Sequence, residues 1–162
     1  MFWIVLSMKN VKLIFVCHGN ICRSAMAEFI MKYLLLKDSL SCAFTVLSAG
    51  VSDEEHGNDI YPPAKKVLTE HGIPFSCHSA HRITEAEFMD ADYIYAMDSS
   101  NYMALTRRFG NASGKISMFL DKDVEDPWYS GNFNAVFNDI FRGCSVLVEK
   151  FHQIYDGLCR LH

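Results

Sequence analysis

Val11-Lys12-Leu13-Ile14-Phe15-Val16-Cys17-His18-Gly19-Asn20-Ile21-Cys22-Arg23-Ser24 is the stretch on which the rest of the chain is organised. Its apolar lead, Val11 to Val16, reads as a strand. A helical pattern, Ala25-Met26-Ala27-Glu28-Phe29-Ile30, follows without a gap. A strand, a tight glycine-bearing loop and a helix start in succession aim backbone N–H groups, and the positive end of a helix dipole, at one small volume. An anion belongs there. Cys17 sits at the strand end and faces the same volume, and a thiol beside a helix N-terminus and an arginine ionises near neutral pH. Arg23 can hold two phosphate oxygens with its planar fork. Thiolate, amide cradle and guanidinium therefore converge on one phosphoryl group.

Outward from this loop, strands alternate with helices. The first helix carries Met26, Phe29, Ile30, Tyr33 and Leu34 at the spacing of a helix lying against a sheet, and runs to about Lys37. A second strand, Phe44 to Leu47, ends in Ser48-Ala49-Gly50, and a polar, acidic loop spans Val51 to Asp59. Pro62 and Pro63 open a helix that closes at His71-Gly72. The capping pattern Thr84-Glu85-Ala86-Glu87 starts a short helix before a third strand, Tyr93 to Met97. Asp98 caps a helix over Asn101 to about Phe109, and Lys115 to Leu120 reads as a fourth strand. An acidic loop, Asp121 to Asp126, turns at Pro127-Trp128-Tyr129-Ser130-Gly131 into a last helix from about Asn132 to Leu158. This order predicts an α/β fold: a four-stranded parallel sheet with helices on both faces, a flavodoxin-like three-layer sandwich, and the phosphate-binding loop after strand 1. Ligands of such sheets sit beyond the carboxyl ends of the strands. Asp98 and Asp126 are thus expected near Cys17, although about a hundred residues separate Cys17 from Asp126.

The 162 residues suit one domain, expected over 9–162 behind a short apolar extension at 1–8. Met1 to Ser7 is too short to span a membrane and lacks a basic lead, so membrane contact is not expected of it. A net charge of −4 without a basic stripe argues against nucleic acid as a partner. None of the six cysteines has a paired metal spacing, and a thiolate nucleophile suits a reducing compartment, so the protein is read as cytoplasmic. Cys77, His78, His81 and His71 fit no common zinc pattern. No metal and no cofactor are expected.

The chemistry that follows is a double displacement on a phosphate monoester. Cys17 attacks phosphorus, the amides of His18, Gly19, Asn20, Ile21 and Cys22 together with Arg23 stabilise the equatorial oxygens, and Asp126 protonates the leaving oxygen. The Ser24 hydroxyl can donate to the thiolate. Asn20 tolerates left-handed backbone and can pin the loop, with Ser48 holding it from the next strand. His78 reads as a hydrogen-bonding support and Asp98 as a cap or brace.

The loop resembles the signature of the low-molecular-weight protein tyrosine phosphatases: cysteine, five residues, arginine, then serine or threonine. Gly19-Asn20-Ile21-Cys22-Arg23-Ser24 matches that family in particular, as do Ser48-Ala49-Gly50, His71-Gly72-Ile73, His78 through Arg82 to Thr84, Met97-Asp98 with Asn101, and Asp126-Pro127-Trp128-Tyr129. The resemblance covers nearly the whole chain from about residue 10. It implies hydrolysis of phosphotyrosine, in proteins or peptides, and of small aryl phosphates. It makes Asp126 the general acid, Trp128 and Tyr129 a substrate wall, and Cys22 a partner for a reversible disulfide with Cys17. Isoleucine at position 21 goes with phosphotyrosine in the family, threonine with phosphoarginine. Tyr129 reads either as pocket wall or as a phosphorylation target. A monomer or weak homodimer is expected.

The chain departs from the family at several positions. His18 replaces the usual leucine, Ala25 the usual proline, and Tyr61-Pro62-Pro63 an Asp-Arg pair. Asp53-Glu54-Glu55-His56 stands where an aromatic usually lines the pocket lip, which places Glu54 at the substrate and disfavours acidic phosphopeptides. Two alternatives compete: an arsenate reductase on the same fold, which needs further relay cysteines, and a phosphate-binding module without turnover.

Overall fold

The computed structural model describes residues 9–159, with side chains to residue 155. The expected extension at 1–8 lies outside the described residues. Strand β1, Val11–Cys17, is flanked by β2, Phe44–Gly50, and β3, Tyr93–Ala96, and β4, Ile116–Met118, completes the sheet. The order is β2-β1-β3-β4 and every pair is parallel. Phe15 lies opposite Ser48 on one side and Tyr95 on the other. β1 is therefore central, at the point where the strand order reverses, and the loop that follows it opens into the crevice between its neighbours.

Alternation along β1 feeds two cores. Leu13, Phe15 and Cys17 pack with helices α1, Arg23–Lys37, α2, Pro62–Glu70, and α6, Phe133–Cys159. Ile14 and Val16 pack with α3, Glu85–Asp90, and α4, Ser99–Phe109. A strand buried on both faces is apolar throughout, which is why its sequence shows a run rather than an alternation. Cys17 continues the odd-numbered side, so the pleat directs its side chain toward the α1 layer.

Local signals are realised as read. The Glu87 amide donates to Thr84 Oγ1 at 3.1 Å and the Thr84 amide to Glu87 Oε2 at 2.9 Å, a complete capping box for α3. Asp98 caps α4, accepting from the Asn101 amide at 2.8 Å. His71 ends α2, where its Nδ1 donates to Val67 O and its ring stacks on Phe137.

Four details differ from the sequence reading. Helix α1 begins at Arg23, two residues before the apolar pattern does, and it is buried on all sides from Arg23 to Met31 rather than along one stripe. It lies between the sheet and α6, so polar residues Ser24 and Glu28 are interior. A 3-10 turn, Ser41–Ala43, precedes β2. Pro127–Ser130 forms a one-turn helix, α5, rather than a bare turn, with Asp126 as its N-cap. At the sheet edge, pairing covers only Ile116–Met118 of the expected longer strand. Among the described residues, no helix is long and apolar enough to cross a membrane.

Candidate active site

Residues 17–23 line a cleft of about 80 Å³ at the carboxyl end of β1. Asn20 adopts φ 62°, the left-handed turn that brings the chain back toward Cys17. Its amide N–H then donates to Cys17 Sγ at 3.3 Å. Ser24 Oγ lies 2.9 Å from the same sulfur. Helix α1 has no side-chain cap, so its first-turn N–H groups are left for an anion.

Hydrogen-bond directions around Asn20 follow from its chemistry. Nδ2 only donates, and it reaches Ser24 Oγ at 2.9 Å and Ser48 Oγ at 3.0 Å. Ser24 therefore accepts from Asn20 and has its proton free for Cys17. Asn20 Oδ1 accepts from the His81 amide at 3.2 Å, and Asn20 O accepts from His78 Nε2 at 2.7 Å. The backbone packs equally close. A Cβ on Gly50 would lie 2.6 Å from His18 O, so β2 can end against the loop only as glycine. Ile21 and Cys22 rest on Ala80, Tyr61 and Phe133, and the Tyr61 amide bonds to Ile21 O at 2.9 Å.

Arg23 is buried and held by three acceptors. Nη1 donates to Asp98 Oδ2 at 2.6 Å and to Val124 O at 3.0 Å, and Nη2 donates to Asp126 Oδ2 at 3.2 Å. Nη1 is thereby committed, which leaves the Nε and Nη2 edge for two oxygens of a ligand. Burial works against the guanidinium charge, but Cys17, Asp98 and Asp126 outweigh it and hold the charge more firmly than usual.

The acidic loop reaches this point because it is anchored from behind. Asp123 accepts from both the amide and the hydroxyl of Ser99, at 2.8 and 2.7 Å, and the Val124 amide bonds to Met97 O at 2.8 Å. Asp126, the N-cap of α5, accepts from the Trp128 amide at 3.1 Å and keeps its other oxygen on Arg23. The helix turns Trp128 and Tyr129 to the cleft, and Tyr61 braces Trp128 with ring centroids 4.8 Å apart. Across the cleft, His18 Nε2 meets Glu54 Oε2 at 3.2 Å, and Glu55 packs over Gly19.

The fold brings together every residue singled out from sequence. Cys17, His18, Gly19, Asn20, Ile21, Cys22, Arg23, Glu54, Asp126, Trp128 and Tyr129 line the cleft. Ser24, Ser48, His78 and Asp98 touch those that do. Sequence reasoning placed Glu55 in the lip stretch and named Tyr61 as a departure without giving either a role, and it missed the anchoring Asp123 and the buried Glu28, which accepts from Ser48. Only Tyr61 had an available signal, a bulky aromatic directly before a helix-opening proline. Cys17 and Cys22 are both free thiols. Burial first, and then Cys17 and Asp126, push the Cys22 thiol up, so it stays protonated. Among the described residues no group of three or more His, Cys, Asp or Glu side chains could hold a metal ion. His81 is engaged by Glu87 at 2.7 Å.

Comparison with known proteins points the same way. The family described as low molecular weight phosphotyrosine protein phosphatase matches residues 12–155. The low molecular weight protein-tyrosine-phosphatase YfkJ of Bacillus subtilis is 36% identical over 151 residues, covering 88% of this chain and 97% of its own. The human low molecular weight phosphotyrosine protein phosphatase is 35% identical over 150 residues, covering 86% and 94%. The crystal structure of YfkJ superposes with a TM-score of 0.86 over 90% of this chain and 96% of that one.

Proposed function

The chain belongs to the low molecular weight phosphotyrosine protein phosphatase family, and on that premise we propose how its cleft hydrolyses phosphotyrosine. The observation that carries the reading is the pair of donors on one sulfur: the Asn20 amide at 3.3 Å and the Ser24 hydroxyl at 2.9 Å. These two contacts hold the sulfur at the mouth of the loop, where an in-line attack on a bound phosphoryl group can begin.

The phosphoryl group enters with its oxygens against the α1 N-terminus and the free edge of Arg23. Cys17 thiolate attacks phosphorus, a sulfur–phosphorus bond forms, and the bond to the tyrosine oxygen breaks. Asp126 gives its proton to the departing phenoxide. Its hold on Arg23 is through a long contact, so an arriving phosphate can replace that carboxylate on the guanidinium. Water then attacks the cysteinyl-phosphate and passes a proton to Asp126. The sulfur leaves as thiolate, received by Ser24. Asp98 keeps Arg23 oriented throughout. Trp128 and Tyr129 flank the substrate ring, and phosphotyrosine proteins or peptides are the substrates.

Cys22 supports a protective role. Peroxide oxidises Cys17 to the sulfenic acid, and the Cys22 thiol displaces water to form a disulfide. Peptide mapping after peroxide treatment should find the Cys17–Cys22 link and its reversal by dithiol. Failure to find it removes this role from Cys22. The decisive assay of the main reading is phosphate release from phosphotyrosine, phosphoserine and phosphoarginine peptides. Selective release from phosphotyrosine is the expected result, and turnover of phosphoarginine alone would overturn it.

A further inference from the structure

Glu28 is a buried carboxylate that the reaction above does not use. Its Oε1 accepts from Ser48 Oγ at 2.9 Å, and its Oε2 pairs with Lys32 Nζ at 3.0 Å. From Ser48 the hydrogen bonds continue through Asn20 and Ser24 to Cys17, with no gap longer than 3.0 Å. The ends of this chain fix its direction. A carboxylate only accepts and an amide NH2 only donates. Ser48 must therefore accept from Asn20 and give its proton to Glu28. Ser24 accepts from Asn20 as well, which leaves its proton for Cys17 when the sulfur is a thiolate.

The competing arrangement is a flipped Asn20. Its Oδ1 would then face both hydroxyls and draw both protons, Glu28 Oε1 would lose its Ser48 donor and keep only the Lys32 pair on Oε2, and Cys17 would lose the Ser24 proton. Two contacts oppose the flip. One is the His81 amide on Oδ1, at a long 3.2 Å. The other is the demand of Glu28 for the Ser48 proton, a charge-assisted bond in a buried setting.

We infer that Glu28 is a positioning residue for the nucleophile: by claiming the Ser48 proton it locks the Asn20 amide and turns the Ser24 hydroxyl toward Cys17. This rests on the reading of Cys17 as the nucleophile. Lys32, half-exposed on the same helix, is its counter-charge.

The test uses the full chain with Glu28→Met, Glu28→Gln, Ser48→Ala and the Glu28→Met/Ser48→Ala double variant. Two quantities are read: the rate of Cys17 alkylation by iodoacetamide, resolved by peptide mass between about pH 4 and pH 8, and kcat and KM on an aryl phosphate. Glu28→Met should slow alkylation and kcat by about tenfold, with KM held within about twofold. Glu28→Gln keeps an acceptor for Ser48 and should restore both rates to within about threefold of wild type. The double variant should be no worse than Ser48→Ala alone. Wild-type rates in Glu28→Met, equal damage in Glu28→Gln, or additive damage in the double variant would each overturn the inference. If Glu28→Met gives no cooperative melt, Ser48→Ala carries the test, because it cuts the same link, and wild-type alkylation there is equally fatal. A Cys17→Ser enzyme that still turned over would instead sink the catalytic reading, whatever Glu28 does.

Discussion

On the floor of the cleft, Asn20, Arg23 and Ser24 are at most 2% exposed, whereas at the rim Trp128 is 50% and Tyr129 85% exposed. Asn20 and Arg23 are each held by two or more side-chain hydrogen bonds to other segments of the chain, and Ser24 is bonded within the loop to Asn20 and Cys17. At the rim, Trp128 rests on the Tyr61 ring, and the acidic stretch is held by exposed pairs such as His18 with Glu54 and Asn58 with Glu55. A buried polar group left without its partner costs far more than an exposed one, so the floor tolerates little change. The rim can vary at small cost. Two departures from the family, His18 and the acidic 53–56 stretch, lie at the rim; Ala25 is a buried exception behind the loop, and Cys17, Asn20, Arg23, Ser24 and Ser48 are kept.

Substitutions can break or sharpen this contrast. The largest effect is expected for Cys17→Ser, which should lower kcat by about 10⁴-fold or more while inorganic phosphate still binds by calorimetry. Arg23→Lys comes next. A point charge cannot serve Asp98, Val124 and two phosphate oxygens together, so kcat/KM should fall by about 10²- to 10³-fold in steady-state assays. Asp126→Ala should cost about 10²-fold on phosphotyrosine and less on an aryl phosphate with an acidic leaving group, the difference reporting proton donation. Wild-type rates on phosphotyrosine would remove the acid role from Asp126. Smallest is the rim. Trp128→Ala should raise KM by about three- to tenfold with kcat nearly unchanged, the worth of one ring contact. A rim substitution that lowered kcat as strongly as a floor one would dissolve the distinction.

Which parts of the site were legible follows the same division by range. The loop from Cys17 to Ser24 is contiguous, and its conformation follows from residues within it: Asn20 takes the left-handed turn and α1 begins at its end. The Thr84 capping box and the Asp98 cap are likewise local, three residues across. Glu28 was hidden because its helix looked one-sided. Charged residues in an amphipathic pattern are ordinarily solvated, and only the placement of α1 between the sheet and α6 made this one interior. The one-turn helix α5 was hidden because four residues carry too little periodicity to show a helix. The anchoring of the acidic loop by Ser99 and Asp123 joins residues 24 apart through exposed groups, which no composition signal marks.

By itself the sequence determined the order of strands and helices and the shape of the anion loop, because neighbouring residues set backbone dihedrals and hydrophobic period. Tertiary structure alone decided that Arg23 hydrogen-bonds to Asp98 and Asp126 across separations of 75 and 103 residues, and that Glu28 takes up the Ser48 hydroxyl inside the fold. Those contacts depend on the strand order β2-β1-β3-β4, which sets loops from distant parts of the chain side by side at one end of the sheet. Hydrogen bonds need alignment to within a few tenths of an ångström, and only the packed sheet and helices supply it.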